Sequence, residues 1–117
     1  MKEVLAVIQM NRMETTKNAL DVIGIPAITA YKVTGRGKQR GLQIPYPSPQ
    51  ELSEKRMKYL PKRMISLVVE DEFVPAVVAV ITKINRTGNF GDGRIFVCPV
   101  EQSIRIRTGE RGNEAIS

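Results

Sequence analysis

Glycines alternate with cationic and polar residues in the segment Gly35-Arg36-Gly37-Lys38-Gln39-Arg40-Gly41. Glycine lets backbone N–H groups approach phosphate oxygens closely, and cationic side chains neutralise the charge of those oxygens. The segment could therefore cradle a phosphate group. The same composition is equally typical of a solvated, flexible hinge, so the pattern alone does not decide between the two.

A second glycine-rich segment, Thr87-Gly88-Asn89-Phe90-Gly91-Asp92-Gly93-Arg94, lies between a predicted helix and a predicted strand. Three glycines at such a place either make a turn or let backbone amides surround a ligand. The segment lacks the Lys-Ser/Thr ending and the strand-to-helix order of a Walker A motif, so it does not predict a P-loop NTPase.

Two arginines, Arg105 and Arg107, stand two positions apart near the C-terminal end. In an extended segment both guanidinium groups project to the same side, as a clamp for a polyphosphate requires. The alternative is a charged edge strand that resists aggregation.

The apolar pattern predicts the elements that position these groups. Strands are predicted over residues 4–8, 27–34, 64–69 and 94–100, with a short extended piece over 103–107. Helices are predicted over 14–23, before Gly24 and Pro26, and from Asp71 to about Asn85. Residues 36–60 show neither the apolar repeat of a helix nor that of a strand and are predicted to form a long loop, and 108–117 are predicted to form a mobile tail.

This order of elements predicts an α+β fold with a single domain over residues 1–117. Two strand–helix–strand halves with right-handed crossovers give a ferredoxin-like βαββαβ sandwich with both helices on one face of the sheet. The strands carry apolar residues on both faces of the sheet, and no helix remains to cover the second face. Self-association is the simplest way to bury it.

The positive charge of the chain is concentrated in its middle. Residues 32–63 hold nine basic and two acidic residues, a net charge of +7, whereas the whole chain carries +6. The long loop and its hinges are therefore expected to bind a partner. One reading is a nucleic-acid-binding module that uses the loop on phosphate backbones, but aromatic residues for base stacking are only 5% of the chain.

The chain contains no histidine, which removes the usual general base and every His-ligated metal site. No acidic pair suits a catalytic pocket either, so we expect a ligand sensor and not an enzyme. The single cysteine, Cys98, lies in an apolar run and predicts an inert thiol in a reducing, cytoplasmic location. The longest apolar stretch, 76–81, is too short to span a membrane.

Four motifs together resemble the PII nitrogen-regulatory signal-transduction proteins. They are Gly35-x-Gly37-x-Gln39-x-Gly41, Leu60-Pro61-Lys62, Arg86-Thr87-Gly88-x-x-Gly91-Asp92-Gly93-Arg94-Ile95-Phe96-Val97 and Ile104-Arg105-Ile106-Arg107-Thr108-Gly109-Glu110. The resemblance implies a ferredoxin-like trimer that binds ATP or ADP in clefts between subunits, and the loop at 36–60 corresponds to the family's T-loop. The residues that it assigns to the nucleotide are Thr29, Gly35, Gly37, Lys38, Val68, Gly91, Asp92, Gly93 and Arg94, with Arg105 and Arg107 from the neighbouring subunit.

The same resemblance assigns the effector 2-oxoglutarate to Gln39 and Lys62. Gln39 would also ligate Mg²⁺ together with 2-oxoglutarate and the ATP phosphates, and Lys62 would pair with the distal carboxylate. Because Gln39 lies at the root of the loop, effector binding would change which protein target the loop can dock.

The long basic loop resembles the subfamily encoded beside nitrogenase genes, whose members work in pairs to inhibit nitrogenase. The expected assembly is therefore a homotrimer, or a mixed trimer or hexamer with a sister subunit. The chain departs from the common family pattern at Gln9-Met10-Asn11, which replaces a basic-proline turn, and at Ser66, which replaces a glutamate. The tyrosine-bearing segment that is uridylylated in other members is missing.

Overall fold

The computed structural model describes residues 1–35 and 60–117, and the predicted ligands Gly37, Lys38 and Gln39 lie outside them. The described strands are β1 (Lys2–Gln9), β2 (Thr29–Gly35), β3 (Leu60–Val69) and β4 (Arg94–Pro99). The helices are α1 (Met13–Val22), α2 (Val74–Asn85) and the short α3 (Asn113–Ile116). A single 3₁₀ turn precedes each of the first two helices, at Met10–Arg12 and Asp71–Phe73.

The four strands form one sheet in the order β2-β3-β1-β4, and every neighbouring pair is antiparallel. With one helix after β1 and one after β3, this order confirms the predicted α+β, ferredoxin-like arrangement. The third strand begins at Leu60 and not at Met64 as the sequence predicted. Its first residues carry no apolar alternation, but their backbone pairs with both β1 and β2.

The core lies between the sheet and the two long helices. Alternate residues of β1 and β3 point into it and are almost fully buried, together with three helical residues: Val4, Ala6, Ile8, Ile65, Leu67, Val69, Leu20, Val77 and Ile81. The opposite face of the sheet is only half-buried within one chain, and Phe96 keeps 49% of its surface exposed there. The strand pattern therefore leaves a second apolar face without a cover among the described residues.

A buried polar bridge joins the two long helices. The Thr16 hydroxyl donates to the backbone carbonyl of Arg12 (2.7 Å) and accepts from Asn85 Nδ2 (3.0 Å). Asn85 Nδ2 also donates to the carbonyl of Ile81 at 2.9 Å. Asn85 is the last residue of α2, so the bridge fixes the point at which the chain leaves the helix.

The C-terminal segment differs from the prediction. Residues 106–108 form a turn, and Ile104 pairs with Arg111 in an isolated antiparallel bridge before α3. The positive φ angles of Gly109 (76°) and Gly112 (69°) turn the chain back on itself. The predicted extended piece over 103–107 is therefore wrong, and the segment after 108 is folded where the sequence suggested a mobile tail.

Candidate functional site

The ends of three strands and one loop meet at the carbonyl of Gly91. Gln9 and Lys62 are direct partners in the β1–β3 ladder, and both side chains donate to this oxygen, Gln9 through Nε2 at 3.2 Å and Lys62 through its ammonium group. Gly35, at the end of β2, lies close by, because a Cβ there would stand 3.9 Å from Lys62 Cγ. This corner of the sheet thus joins the root of the long loop to the residues after α2.

The residues Thr87–Arg94, here called the glycine turn, fold around the carboxylate of Asp92. It accepts the backbone N–H of Thr87 (2.7 Å), the N–H of Gly88 (3.0 Å) and the Thr87 hydroxyl. These bonds, the hydroxyl first, and the nearby positive charge of Arg12 hold the pKa of Asp92 below its ordinary value of 3.8. The Asp92 carboxylate therefore holds the turn closed within the chain. Its predicted place beside the phosphates stays a prediction.

Glycine is required at the last turn position before β4. Gly93 has φ +113°, and a Cβ there would stand 1.8 Å from the carbonyl oxygen of Val7. Gly91 is also in the left-handed region, at φ +91°, and a Cβ would lie 3.6 Å from Lys62 Nζ. A Cβ at this second position would make an ordinary van der Waals contact with the ammonium group, so it is the positive φ and not a collision that favours glycine there.

An open cavity of about 350 Å³ lies between α2 and the start of β4. Its walls are apolar at Val78, Ile81 and Ile95, and its polar end includes Arg86 and Arg94. Asn85 also lines it, is only 6% exposed, and has an Oδ1 atom without a hydrogen-bond partner among the described residues. The cavity can therefore offer two guanidinium groups to a polar ligand, and the Asp92 residue also lines it.

The predicted site residues divide between the two ends of the sheet. Gly35, Lys62 and the glycine turn lie at one end, whereas Thr29 and Val68 lie further along β2 and β3. Val68 is six residues from Lys62 in β3, which corresponds to about 20 Å along an extended strand. Arg105 and Arg107 follow the far end of β4. A single chain does not bring all of these residues together.

Arg105 is bound within its own chain. Its guanidinium donates to Glu110 Oε1 (2.8 Å) and to the carbonyls of Glu114 (2.9 Å) and Ser117 (2.8 Å). Arg107 is exposed in the adjoining turn, so the extended backbone on which a parallel pair of arginines depends is not present here. A hairpin brings Arg111 back beside Ile104, and it directs the Arg105 side chain toward the C-terminal residues.

Sequence reasoning missed the contact residues Gln9, Arg12 and Asn85. Gln9 was noted only as a departure from the family pattern, and its hydrogen bond to Gly91 joins residues 82 positions apart. Arg12 has a buried Nε atom without a partner among the described residues, and its charge acts on Asp92. Asn85 interrupts an apolar helix face, and that was the one signal that could have indicated a buried polar contact.

Within residues 1–35 and 60–117, no group of three or more His, Cys, Asp or Glu side chains is placed to hold a metal ion. In the same part of the chain, no helix is long and apolar enough to cross a membrane.

Comparison with known proteins gives consistent matches over the whole chain. The model of the family described as nitrogen regulatory protein P-II matches residues 1–110. A relative from Methanothermobacter marburgensis, named "Nitrogen fixation nifHD region GlnB-like protein 2", is 52% identical over 122 residues, covering 99% of this chain and 100% of the relative.

More distant relatives agree with this match. A Rhodospirillum rubrum protein named "Nitrogen regulatory protein P-II" is 40% identical over 116 residues, covering 99% of this chain and all of the relative. A solved structure of Arabidopsis thaliana PII bound to citrate superposes with a TM-score of 0.78 at 33% identity, covering 99% of this chain and 89% of the other.

Proposed function

Because the chain belongs to the nitrogen regulatory protein P-II family, we propose that it is a non-enzymatic signal transducer that reports nitrogen status. Its effectors are ATP or ADP and 2-oxoglutarate, bound with Mg²⁺ between subunits. Its output is the basic loop, which docks on a protein target of nitrogen metabolism in the cytoplasm.

The observation that carries this proposal is the convergence of Lys62 and Gln9 on the Gly91 carbonyl. An ammonium group has three donors, so Lys62 can keep the carbonyl and still bind a carboxylate. The glycine at position 91 leaves room beside the Lys62 ammonium group. The citrate bound to the Arabidopsis PII structure is also a carboxylate ligand, which supports the same ligand class here.

The division of the site residues between the two ends of the sheet supports binding between subunits. Lys62, Gly91 and Arg94 would come from one subunit, and Thr29 and Val68 would come from its neighbour, together with Arg105 and Arg107. The half-buried second face of the sheet, with Phe96 49% exposed, supports a trimer whose sheets cover one another. The assembly is a homotrimer, or a mixed trimer or hexamer with a sister subunit.

In this assembly the nucleotide phosphates would lie against Gly35, Gly37, Lys38 and the glycine turn. Mg²⁺ would supply charge neutralisation between the phosphates and 2-oxoglutarate, and Gln39 would be its protein ligand. Arg105 is held by Glu110 in this structure. A guanidinium has five N–H donors, so Arg105 can keep this partner and still donate to a phosphate.

The target that we propose is nitrogenase. Relatives that are 52% identical carry names that refer to nitrogen fixation and the nifHD region. The charge of +7 over residues 32–63 is the further support, because it provides the loop with a strong electrostatic attraction for an acidic surface.

Titration calorimetry on a matched pair of variants tests the site. Lys62→Ala removes the ammonium group beside Gly91, and Lys83→Ala removes the same charge from an exposed position at the end of α2. We expect Lys62→Ala to lose the response to 2-oxoglutarate while it keeps Mg-ATP binding, and Lys83→Ala to keep both. Unchanged 2-oxoglutarate affinity in Lys62→Ala would refute the assignment.

A further inference from the structure

A pair of cations lies on the face of the sheet opposite to Lys62. Lys32 and Arg63 are direct cross-strand partners, and Arg63 also pairs with Ile8, whose side chain is 1% exposed on the helix face. Because paired residues share a face and successive residues alternate, Lys32 and Arg63 project toward the helix side. Lys62 pairs with Gln9 and Val33 and projects to the other side.

The two cations line one open cleft at the root of the long loop. The cleft has a volume of about 540 Å³ and is formed by Met10, Lys32, Val33, Thr34, Pro61 and Arg63. No acidic side chain is among these lining residues, and neither cation forms an ion pair within the described ranges 1–35 and 60–117. Like charges directly opposite each other destabilise a sheet, so a bound anion would stabilise this arrangement.

The loop next to the cleft is a poor source of that anion. Residues 36–59 contain six basic residues and only two acidic ones, Glu51 and Glu54. With six basic and two acidic residues, a net charge of +4, the loop has no surplus of acidic side chains to neutralise the cleft.

We propose that this cleft is a docking site for an acidic segment of a partner protein, a proposal that rests on the signalling function above. Carboxylates of the partner bind Lys32 and Arg63, and an apolar side chain of the partner packs on Met10, which is 44% exposed. Arginine and methionine are both enriched at protein interfaces, and the guanidinium of Arg63 can bind a carboxylate through two parallel hydrogen bonds. The rigid β2–β3 ladder holds this part of the docking surface fixed.

The test measures binding of a short fluorescein-labelled peptide rich in glutamate, with leucines among the glutamates, by fluorescence anisotropy. The variant Lys32→Ala/Arg63→Ala is compared with Lys17→Ala/Lys83→Ala, which loses the same charge from the exposed surfaces of α1 and α2. We expect at least about a tenfold loss of affinity in the first variant, because two charge-assisted contacts are removed. The loss in the control should be less than about twofold, since exposed distant charges are screened by salt.

Three results of the peptide experiment would overturn the proposal. They are failure of the native protein to bind the peptide, equal losses in the two double variants, and native-like binding of the glutamine counterpart of the peptide. Tighter, pair-dependent binding of a single-stranded oligonucleotide would assign the cleft to nucleic acid and overturn it as well. Titration of Mg-ATP and 2-oxoglutarate into the same variants separates the two proposals, because effector binding depends on Lys62 and not on the Lys32–Arg63 pair.

Discussion

Replacing Gly93 by alanine should destabilise the protein more than any other glycine substitution in the glycine turn. The added Cβ would stand 1.8 Å from the carbonyl oxygen of Val7, a backbone atom of β1. Real Cβ contacts essentially never fall below 3.0 Å, so the backbone at Gly93 and the backbone of β1 must separate by roughly 1.2 Å. Val7 pairs with Arg94, so this shift disrupts the first rungs of the β1–β4 ladder.

The size of the effect follows from two contributions. Alanine at φ +113° costs about 1–2 kcal/mol relative to glycine. The loss of one or two ladder hydrogen bonds adds about 1 kcal/mol each. We therefore expect Gly93→Ala to lower the free energy of unfolding by about 3 kcal/mol.

Gly88→Ala is the matched control. Gly88 lies in the same turn at φ +86°, but a Cβ there meets no atom within 4 Å. This variant keeps the backbone penalty without the collision, so we expect a loss of about 1–2 kcal/mol. Urea unfolding followed by circular dichroism, at one fixed protein concentration, measures both values. A loss for Gly93→Ala no larger than that for Gly88→Ala would refute the reasoning.

Three further outcomes are expected. Because the folded pKa of Asp92 lies below 3.8, its contribution to stability is fully present above pH 3.8 and is lost as pH falls through the folded value. In Asp92→Asn the free energy of unfolding should therefore fall less steeply as the pH is lowered than it does in the native protein. An equally steep fall in both proteins would contradict this. Asn85→Ala should lower the free energy of unfolding by about 1–3 kcal/mol, since it leaves the Thr16 hydroxyl without its buried hydrogen-bond donor. Thermal unfolding of Asn85→Ala/Thr16→Val should then show recovered stability, because the unpaired hydroxyl is removed as well. Glu110→Gln should loosen the segment after Ile104 and speed its proteolysis, because the ion pair with Arg105 is lost. A variant that is cleaved at the same rate as the native protein would show that the ion pair does not hold this segment.

The fold was predictable to the extent that apolar periodicity specifies it. Helix α1 was expected over 14–23 and is observed at Met13–Val22, since Gly24 takes φ +87° where the helix ends. The start of β3 was not predictable, because Pro61, Lys62 and Arg63 carry no apolar alternation and are paired through their backbones. Periodicity reports burial, and these residues are in a strand without being buried in the core.

The candidate site was predictable in its residue types but not in its contacts. The glycine turn was recognised from Gly88, Gly91 and Gly93, and a positive φ is observed at all three positions. The contact of Lys62 with Gly91 joins residues 29 positions apart, and no local pattern indicates it. A two-residue spacing aligns side chains only in extended backbone, and residues 106–108 form a turn, so the expected geometry of Arg105 and Arg107 was not predictable from their spacing.

The central claim is that 2-oxoglutarate binds beside Lys62 only together with the nucleotide. Its most direct test is a calorimetric titration of 2-oxoglutarate into the protein with Mg-ATP, with Mg-ADP and without nucleotide. We expect binding with Mg-ATP and none without nucleotide, because Mg²⁺ must neutralise the charge shared by the phosphates and the dicarboxylate. Absence of binding in all three conditions, or equal binding without nucleotide, would contradict it.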